Sequence, residues 1–378
     1  MVARGGCAVV GGGTGGHIFP ALAVAAELRR QAPENPIYFL GKAGGLEEEL
    51  AGRAGLPFFG LPAAGLQRRL SLHNLAAAGK ALRAFFQARR WLRRHGVRSV
   101  LGTGGFVCGP VILAARTLGI FTVIHESNVV PGLTNRWLGH VATKVALGQK
   151  ESAVKFPASK TVVTGFPLRP GLDAPSRDEG CTFFGLEPSR PVLFIFPGSL
   201  AARSINRAVA EMLPHLAKRL PTWQVLWMTG KADFEFAQRI QRQLSLPGVV
   251  REFIYEVPEA YAAADIVLSR SGAGTLAELS ALGKPALLVP YPYATGNHQM
   301  YNAQLLQRSG AAVAVPDRGL NGEVLLATLD AMIRHLPSLR AGAAAVQAAY
   351  PRHAARDLAR RIPFRNRRVP RRGHGQRH

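Results

Sequence analysis

The sequence has 378 residues, 47% of them hydrophobic, and a formal net charge of +24. This length suits two domains, and 41 glycines without a three-residue period argue against a collagen-like chain. Because no leader with an apolar core and no run of about 18 apolar residues occurs, we expect neither a secretory signal nor a membrane-spanning helix. The three cysteines lie far apart at Cys7, Cys108 and Cys181, which predicts reduced side chains rather than a metal or redox site.

Positive charge is concentrated in two parts of the sequence. Residues 50–125 contain eleven Lys or Arg and no Asp or Glu, and a second basic run occupies 363–378. Such a charge predicts an anionic partner, which is either nucleic acid or an acidic membrane surface. Because no base-reading module or interleaved aromatic motif is visible, we expect no specific nucleic-acid partner. Residues 363–378 have little apolar content, so we predict that this tail is disordered.

Strands and helices alternate through the first half of the chain. A short buried strand at 8–10 leads into a glycine-rich loop, and residues 20–30 have helical spacing. Further strands are predicted at 37–40, 99–101 and 121–124. This alternation predicts an α/β fold whose sheet is parallel and doubly wound.

A segment with the composition of a linker, 165–179, precedes a second half with the same alternation. In this half we predict strands at 192–196, 225–228, 266–268 and 286–289, and helices at 206–220 and 273–282. Two such domains leave a cleft between the carboxyl ends of their sheets. Ligands bind at this edge in open α/β folds.

Two glycine-rich loops follow strands of the first half. One occupies 11–16 and ends at His17, and the other includes Gly104 and Gly105. Glycines allow the backbone to approach a ligand, and a helix start presents free N–H groups. The loops therefore predict either a cradle for an anionic group, such as an acceptor diphosphate, or tight structural turns. A dinucleotide-binding turn is a further alternative for 11–16, which matches that fingerprint only loosely. His17 is either a base that takes a proton from an attacking hydroxyl or a brace for its loop.

Polar side chains also occupy the expected cleft. Glu126 follows a predicted strand, and its carboxylate either accepts a hydrogen bond from a sugar hydroxyl or caps the helix that follows. In the second half, the small residues of 269–275 leave a helix start open to phosphate, and Glu278 suits ribose hydroxyls. A capping box made by Thr275 and Glu278 is the alternative. Amides and an imidazole at 296–302 suit sugar hydroxyls, or form a polar loop with an N-cap.

Residues 74–94 combine helical spacing with many basic side chains. The apolar side chains, largely on one side, are Leu75, Leu82, Phe85, Phe86 and Leu92. The basic ones are Lys80, Arg83, Arg89, Arg90, Arg93 and Arg94. This helix either contacts a membrane surface or is a core-facing helix with a solvated basic back. We expect the bulky Trp91 to be exposed.

Six motifs occur in this order: GGTGGHIFPALA, GTGGFVCGP, HESNVVPGLTNRWL, GFPLR, RSGAGTLAE and HQMYNA. In this combination, residues 9–314 resemble the bacterial peptidoglycan N-acetylglucosaminyltransferase family. The resemblance implies a GT-B fold, in which two Rossmann-like domains face each other across a cleft. It also implies inverting transfer of N-acetylglucosamine (GlcNAc) from UDP-GlcNAc to the position-4 hydroxyl of lipid I, the undecaprenyl-diphosphate-linked MurNAc-pentapeptide, to form lipid II. The implied location is the cytoplasmic face of the inner membrane, with its anionic surface as a partner.

By the same resemblance, individual residues acquire expected roles. His17 is implied to be the general base, with Thr14 and Asn128 beside it, and Gly104, Gly105 and Glu126 are expected to bind the acceptor. The residues implied to contact the UDP-sugar are Thr14, Gly15, Gly16, Asn128, Arg169, Ser199, Ile254, Ser271, Ala273, Gly274, Thr275, Glu278, His298, Gln299 and Asn302. Within this set, the phosphates are assigned to Arg169, Ser199, Ser271, Ala273, Gly274 and Thr275. The ribose is assigned to Glu278, the uracil to Ile254, and the GlcNAc to His298, Gln299 and Asn302.

We expect no metal and no cofactor, because no Asp-x-Asp pair lies at a suitable turn and helix starts can stabilise a leaving diphosphate. The sequence departs from the family at 197–201, where Pro-Gly-Ser-Leu-Ala replaces Gly-Gly-Ser-Gln-Gly and a polar side chain is lost. We predict domains at 1–167 and 168–336, with a helix at 337–362 packing back on the first domain. Other GT-B enzymes share the fold and the donor half, so a UDP-GlcNAc 2-epimerase or a lipid glycosyltransferase with a diacylglycerol acceptor is the alternative.

Overall fold

The computed structural model describes residues 5–64, 72–198, 202–244 and 247–363. Within this part of the chain lie two parallel sheets flanked by helices, which confirms the predicted α/β fold with two Rossmann-like domains. The strands of the first sheet are β1 (Gly6–Val10), β2 (Ile37–Lys42), β3 (Phe58–Leu61), β4 (Val97–Gly102), β5 (Phe121–Glu126), β6 (Lys144–Leu147) and β7 (Thr161–Val163). Those of the second are β8 (Val192–Phe196), β9 (Gln224–Met228), β10 (Gly248–Arg251), β11 (Ile266–Ser269), β12 (Ala286–Leu288) and β13 (Ala312–Ala314).

Helices connect these strands. Those between the strands of the first sheet are α1 (Gly15–Gln31), α2 (Leu46–Arg53), α3 (Leu72–Arg94), α4 (Cys108–Thr117) and α5 (Leu133–Val141). The helices that follow are α6 (Arg177–Phe184), α7 (Arg203–Arg219), α8 (Phe234–Leu244), α9 (Val257–Ala263), α10 (Ala273–Leu282), α11 (His298–Arg308), α12 (Gly322–Arg334), α13 (Leu336–Ala349) and α14 (Ala354–Arg360). None of the helices in the described part combines the length and apolar character that crossing a bilayer requires.

Both sheets reverse their strand order at a central pair. The first sheet has the order β3-β2-β1-β4-β5-β6-β7, and the second has β10-β9-β8-β11-β12-β13. In doubly wound sheets, ligands bind in the crevice at such a reversal. The glycine loops after β1 and β4, and the 269–275 loop after β11, all follow the strands that flank these two reversals. The fold therefore brings the sequence motifs to the carboxyl edges that face the cleft.

Each sheet is covered by helices on both faces. In the first domain, α1 and α2 pack on one face, and α3, α4 and α5 pack on the other. All residues of β1, β8, β9 and β11 are buried. A strand that is buried on both faces has a continuous run of apolar residues instead of an alternating pattern. The short apolar run at 192–196 therefore correctly indicated a strand.

The first helix begins five residues before the predicted 20–30. Because α1 starts at Gly15, residues Gly15, Gly16 and His17 form its first turn instead of a preceding loop. Pro20 lies inside this helix, where it offers no N–H to the carbonyl of Gly16 and crowds that group. Gly16 is exposed, so solvent can reach the carbonyl that Pro20 leaves without its helical donor.

The side chains of α3 divide differently from the prediction. The core-facing ones are Ala77, Ala84, Ala88 and Leu92. Trp91, which we expected to be exposed, is partly buried and stacks on Phe59 with ring centroids 5.1 Å apart. In contrast, Leu75, Leu82 and Phe86 are exposed. The apolar residues predicted on one side therefore belong to two faces, one in the core and one in solvent.

The chain returns to the first domain near its C-terminal end. The predicted single helix at 337–362 is two helices, because Pro351 cannot continue α13. Helix α13 packs on α10 of the second domain, and α14 packs on α1. Leu358, Ala359 and Ile362 join the apolar core of the first domain. The predicted disordered tail lies, except for Pro363, outside the described residues.

Candidate active site

His17 lies in the first turn of α1, at the reversal point of the first sheet. Its Nδ1 is 3.0 Å from the backbone oxygen of Thr103, just after β4. Because a carbonyl oxygen only accepts hydrogen bonds, this contact puts the ring proton on Nδ1 and leaves the lone pair on Nε2. The Thr103 hydroxyl donates to the backbone oxygen of His17 over 2.6 Å. Thr103 thus fixes both the position of His17 and the nitrogen that can accept a proton.

The surroundings of His17 lower the pKa of its ring. Burial lowers the pKa of His17 below its usual value of 6.5, and His298 of the second domain lowers it further. The charge of Glu126 and the hydrogen bond to Thr103 act in the opposite direction. Since a neutral imidazole is the form that accepts a proton, this environment suits the predicted general base.

The two glycine loops of the first domain interlock beside His17. A Cβ on Gly104 would lie 2.5 Å from Nδ1 of His17, and a Cβ on Gly105 would lie 2.3 Å from the backbone oxygen of Gly12. The backbone φ angles are +119° at Gly104 and +89° at Gly105, in a region that favours glycine. Packing therefore requires both glycines, and Gly104 positions the histidine instead of only lining the acceptor side.

The Glu126 carboxylate is buried and occupied by its own loop. Oε1 accepts from the backbone and side-chain nitrogens of Asn128 at 2.8 and 3.1 Å. Oε2 accepts from the backbone of Gly132 at 3.1 Å and the side chain of Asn135 at 3.0 Å. Four donors use the hydrogen-bonding capacity of a carboxylate. This geometry favours the bracing alternative for Glu126 over the expected contact with the acceptor, and it holds Asn128 at the cleft edge.

The start of α10 is open in the second domain. Gly272 occupies the N-cap without a side-chain hydrogen bond, and the first turn has no acidic residue. The alternative capping box is wrong, because the helix begins at Ala273 and Thr275 already lies within its first turn. The uncapped N–H groups and the helix dipole make this end suitable for a phosphate.

The loop before α10 is tied to α11. The Ser271 hydroxyl donates to the backbone oxygen of Gln299 over 2.7 Å, and the Asn302 side-chain amide donates to the backbone oxygen of Ser271 over 3.0 Å. The Gln299 side-chain oxygen accepts from the backbone of Tyr291 at 2.9 Å. These predicted donor ligands therefore also shape the site by holding its backbone. His298 begins α11 after Asn297, which has φ +54° and makes no side-chain cap.

Two further predicted donor ligands form a buried ion pair. Arg169 Nε is 2.6 Å from Glu278 Oε1, and their side chains are only 12% and 4% exposed. The other oxygen of Glu278 accepts from the Tyr261 hydroxyl at 3.0 Å. The Arg169 guanidinium also lies 3.3 Å from the ring centre of Phe19, on α1 of the first domain. Glu278 is therefore one turn inside α10, as predicted, and Arg169 links it to the opposite domain.

The cleft brings the two domains into close contact. A Cβ on Gly274, at the start of α10, would lie 3.9 Å from the Cα of Gly16, at the start of α1. Gly296, before α11, similarly faces Val130 of the loop after β5, with 3.0 Å from a Cβ to the valine Cγ1. The structure thus brings together the residues predicted at the starts of α1, α10 and α11, and in the 126–132 loop.

Two predicted contacts have a different status. The Ile254 side chain is buried in the second-domain core, so only its backbone is available to a uracil. Ser199 lies outside the described residues, as does most of the divergent 197–201 loop. Among the described residues, no group of three His, Cys, Asp or Glu side chains is arranged to hold a metal ion.

Comparison with known families covers both domains. The model of the glycosyltransferase family 28 N-terminal domain matches residues 7–147, and the model of the family's C-terminal domain matches residues 192–362. The chain belongs to glycosyltransferase family 28. The loops around His17 lie within the first matched range, and the starts of α10 and α11 lie within the second.

Relatives within the family carry the name UDP-N-acetylglucosamine–N-acetylmuramyl-(pentapeptide) pyrophosphoryl-undecaprenol N-acetylglucosamine transferase. The protein of this name from Desulforudis audaxviator is 45% identical over 331 residues, or 86% of this chain and 88% of the relative. The one from Bacillus cytotoxicus is 38% identical over 334 residues, or 88% and 91% of the two chains. These relatives confirm the resemblance predicted from the motifs.

Solved structures show the same fold. Acinetobacter baumannii MurG has a TM-score of 0.70 and 30% identity, covering 94% of this chain and 98% of that one. The UDP-GlcNAc 2-epimerase of Neisseria meningitidis bound to UDP-GlcNAc has a TM-score of 0.66 over 94% and 98% of the chains. At 15% identity, the epimerase supports the shared fold alone.

Sequence reasoning missed several residues that shape this family 28 site. Thr103 stands next to the predicted Gly104, but its contact with His17 depends on two loops that are 86 residues apart. Tyr261 and Phe19 occur in apolar surroundings typical of core residues, and only the fold places them beside Glu278 and Arg169. Of these, only Thr103 had a usable indication, its position inside a glycine loop.

Gly104→Ala is expected to lower kcat for glycosyl transfer by about 100-fold, because a displacement of about 1 Å can have this effect on a catalytic group. The new Cβ would overlap the His17 ring. Steady-state transfer rates measure the effect. Gly109→Ala is the matched control, since its Cβ would make an ordinary 3.8 Å contact with Thr134. Full activity in Gly104→Ala would contradict the positioning role.

Proposed function

We propose that the protein transfers GlcNAc from UDP-GlcNAc to the position-4 hydroxyl of lipid I and so forms lipid II. The observation that carries this proposal is the placement, across the cleft from each other, of His17, whose Nδ1 contacts the Thr103 carbonyl, and the open start of α10. A base and a phosphate site on opposite domains are what a transfer between an acceptor hydroxyl and a nucleotide sugar requires. The names of the relatives support this donor and acceptor.

The reaction needs one proton acceptor and one stabilised leaving group. The acceptor oxygen bonds to the anomeric carbon while His17 Nε2 takes the hydroxyl proton. The bond between that carbon and the UDP oxygen breaks on the opposite face, which inverts the anomeric configuration. The N–H groups at the start of α10 stabilise the charge that develops on the departing diphosphate. Glu278 is the proposed ribose partner, and His298 and Gln299 are proposed to face the GlcNAc.

A transfer assay tests the proposal. Radiolabelled UDP-GlcNAc and a short-chain lipid I analogue are expected to give a labelled disaccharide lipid and UDP. Omitting the analogue is expected to abolish product formation. If the enzyme instead converted UDP-GlcNAc to its C2 epimer in the absence of the acceptor, this would indicate a 2-epimerase. Transfer to diacylglycerol but not to the lipid I analogue would indicate a different lipid glycosyltransferase.

We further propose that the α3–α5 face of the first domain binds the anionic cytoplasmic surface of the inner membrane. Each of these helices begins after the carboxyl end of a strand, beside the cleft. Near these starts lie three exposed apolar residues: Leu75 at 73% exposure, Phe106 at 54% and Leu133 at 73%. Leu82 and Phe86 continue the exposed stripe along α3. A lipid-linked acceptor held in that surface would reach the cleft at the same edge.

Basic side chains accompany this apolar stripe. Arg83, Arg90, Arg93 and Arg94 are exposed on α3. Near an anionic bilayer, each basic residue contributes on the order of 1 kcal/mol, and apolar side chains enter the boundary between headgroups and acyl chains. Together they support peripheral binding.

Leu82→Glu/Phe86→Glu is expected to weaken binding to phosphatidylglycerol vesicles at least about 10-fold, since two apolar side chains worth about 1.5–3 kcal/mol each no longer insert. Vesicle cosedimentation measures this. Phe236→Glu, at an exposed position of the second domain, is expected to leave binding unchanged. The membrane proposal would be contradicted if the double variant and Phe236→Glu bound vesicles equally well. It would also be contradicted if wild type stayed bound to DNA at a higher salt concentration than to the vesicles.

A further inference from the structure

Neighbouring side chains in the segment after β10 point into different domains. Ile254 is buried in the core of the second domain. Tyr255, the next residue, packs against the apolar cluster of the first domain, which includes residues of α1 and α2. The short segment that carries the proposed uracil contact is therefore anchored in one domain and in contact with the other.

Tyr255 contacts two residues of α2. Its hydroxyl donates to Glu49 Oε1 over 2.5 Å, and the Arg53 guanidinium lies 3.5 Å from the centre of its ring. Arg53 Nε is also 3.3 Å from the same Glu49 oxygen, so the three side chains form a closed set. We call Tyr255, Glu49 and Arg53 the interdomain clasp. The Glu49 hydrogen bond raises the pKa of Tyr255, which keeps the hydroxyl protonated as a donor.

The exposure of the clasp indicates an adjustable contact. The side chains of Glu49 and Arg53 are 48% and 52% exposed, and exposed ion pairs contribute little to global stability. Their partner Tyr255 comes from the other domain, so separation of the domains would break the contact. The clasp differs in this respect from the buried pair of Arg169 and Glu278.

We infer that Tyr255 is a positioning residue for the nucleotide, which couples occupation of the uracil-binding segment to closure of the domains through Glu49 and Arg53. This inference rests on the proposed function, because it takes UDP-GlcNAc as the donor. When the domains close, α2 holds Tyr255, and with it the backbone next to Ile254, in one arrangement. A base that binds this backbone favours the closed state, and the closed state favours the base.

The first test measures binding of UDP alone by calorimetry. Tyr255→Phe removes the hydroxyl and keeps the ring beneath Arg53, and Glu49→Gln removes the charge. Each is expected to raise the Kd for UDP by about three- to tenfold, within the range of coupling between sites. The double variant is expected to equal the stronger single variant, because both changes act on the same hydrogen bond between Tyr255 and Glu49. Glu48→Gln is the control on α2, since that carboxylate accepts from the backbone of Gly44.

The second test separates positioning from a purely structural role. Tyr255→Phe is expected to raise KM for UDP-GlcNAc with kcat within about twofold of wild type, and to unfold at the same urea concentration. Unchanged UDP affinity in both single variants, or additive effects in the double variant, would overturn the clasp. If wild type binds UDP but makes no lipid II analogue, the proposed acceptor reaction fails and the UDP result for the clasp still stands.

Discussion

His17→Ala is expected to lower kcat for GlcNAc transfer by about 10²–10⁴-fold, the usual contribution of a general base. The variant loses the Nε2 acceptor that the hydrogen bond from Nδ1 to Thr103 defines. Affinity for UDP is expected to stay within about twofold, because the start of α10 is unchanged. Single-turnover transfer with the lipid I analogue and calorimetry with UDP measure the two effects separately.

The pH dependence of transfer provides a second measure of the same group. Since the pKa of His17 is lowered from 6.5, the ring is neutral at pH 7 and gains its proton only as the pH falls through this lower pKa. The transfer rate of wild type is therefore expected to stay constant as the pH falls from 7 to 6.5 and to decline only at lower pH. In His17→Ala this decline should disappear. An unchanged acid limb, or full turnover by the variant, would assign the proton transfer to another group.

Glu278→Ala is expected to destabilise the second domain by about 3–5 kcal/mol, the usual effect of breaking a buried ion pair. Arg169 would lose its carboxylate partner at a position where only 12% of its side chain is exposed. The Tyr261 hydroxyl would lose its acceptor at the same time. Urea unfolding followed by tryptophan fluorescence measures the change, because Trp223 and Trp227 lie in the core of this domain.

Two comparisons make the Glu278 result specific. Asp330→Ala breaks a more exposed ion pair, in which Asp330 Oδ2 lies 3.0 Å from Arg219 Nη1 and the Arg219 side chain is 62% exposed. This variant is expected to lower the free energy of unfolding by less than about 1 kcal/mol. Arg169→Met/Glu278→Leu is expected to recover much of the lost stability, since apolar replacement removes both buried charges. Equal destabilisation by Asp330→Ala and Glu278→Ala would contradict the distinction based on burial.

The central parts of the fold could be predicted from the sequence. Strand 192–196 and helix 273–282 match the structure residue for residue, because a fully buried strand and a helix after small residues have distinct patterns. The strands that we did not predict are mainly short edge strands, such as β3, β10 and β13. With three or four residues each, they are too short to show a periodicity. The start of α1 was missed because two glycines and a proline disfavour a helix locally.

The chemistry of the site was predictable only in part. The glycine loops and His17 could be placed at the cleft because carboxyl ends of parallel strands share one edge. The occupation of Glu126 by four donors depends on where the chain folds back after β5. The pairing of Arg169 with Glu278 joins residues 109 positions apart. Such partners are set by tertiary packing, which a single sequence pattern does not contain.

The backbone passes between the domains at two places, once between β7 and α6 and once between α13 and α14. Two crossings restrict the relative positions of the domains more than a single crossing would. A truncation after Tyr350 would remove the second crossing together with Leu358, which completes the core of the opposite domain. The last described helix therefore ties the domains together a second time as well as covering an apolar surface.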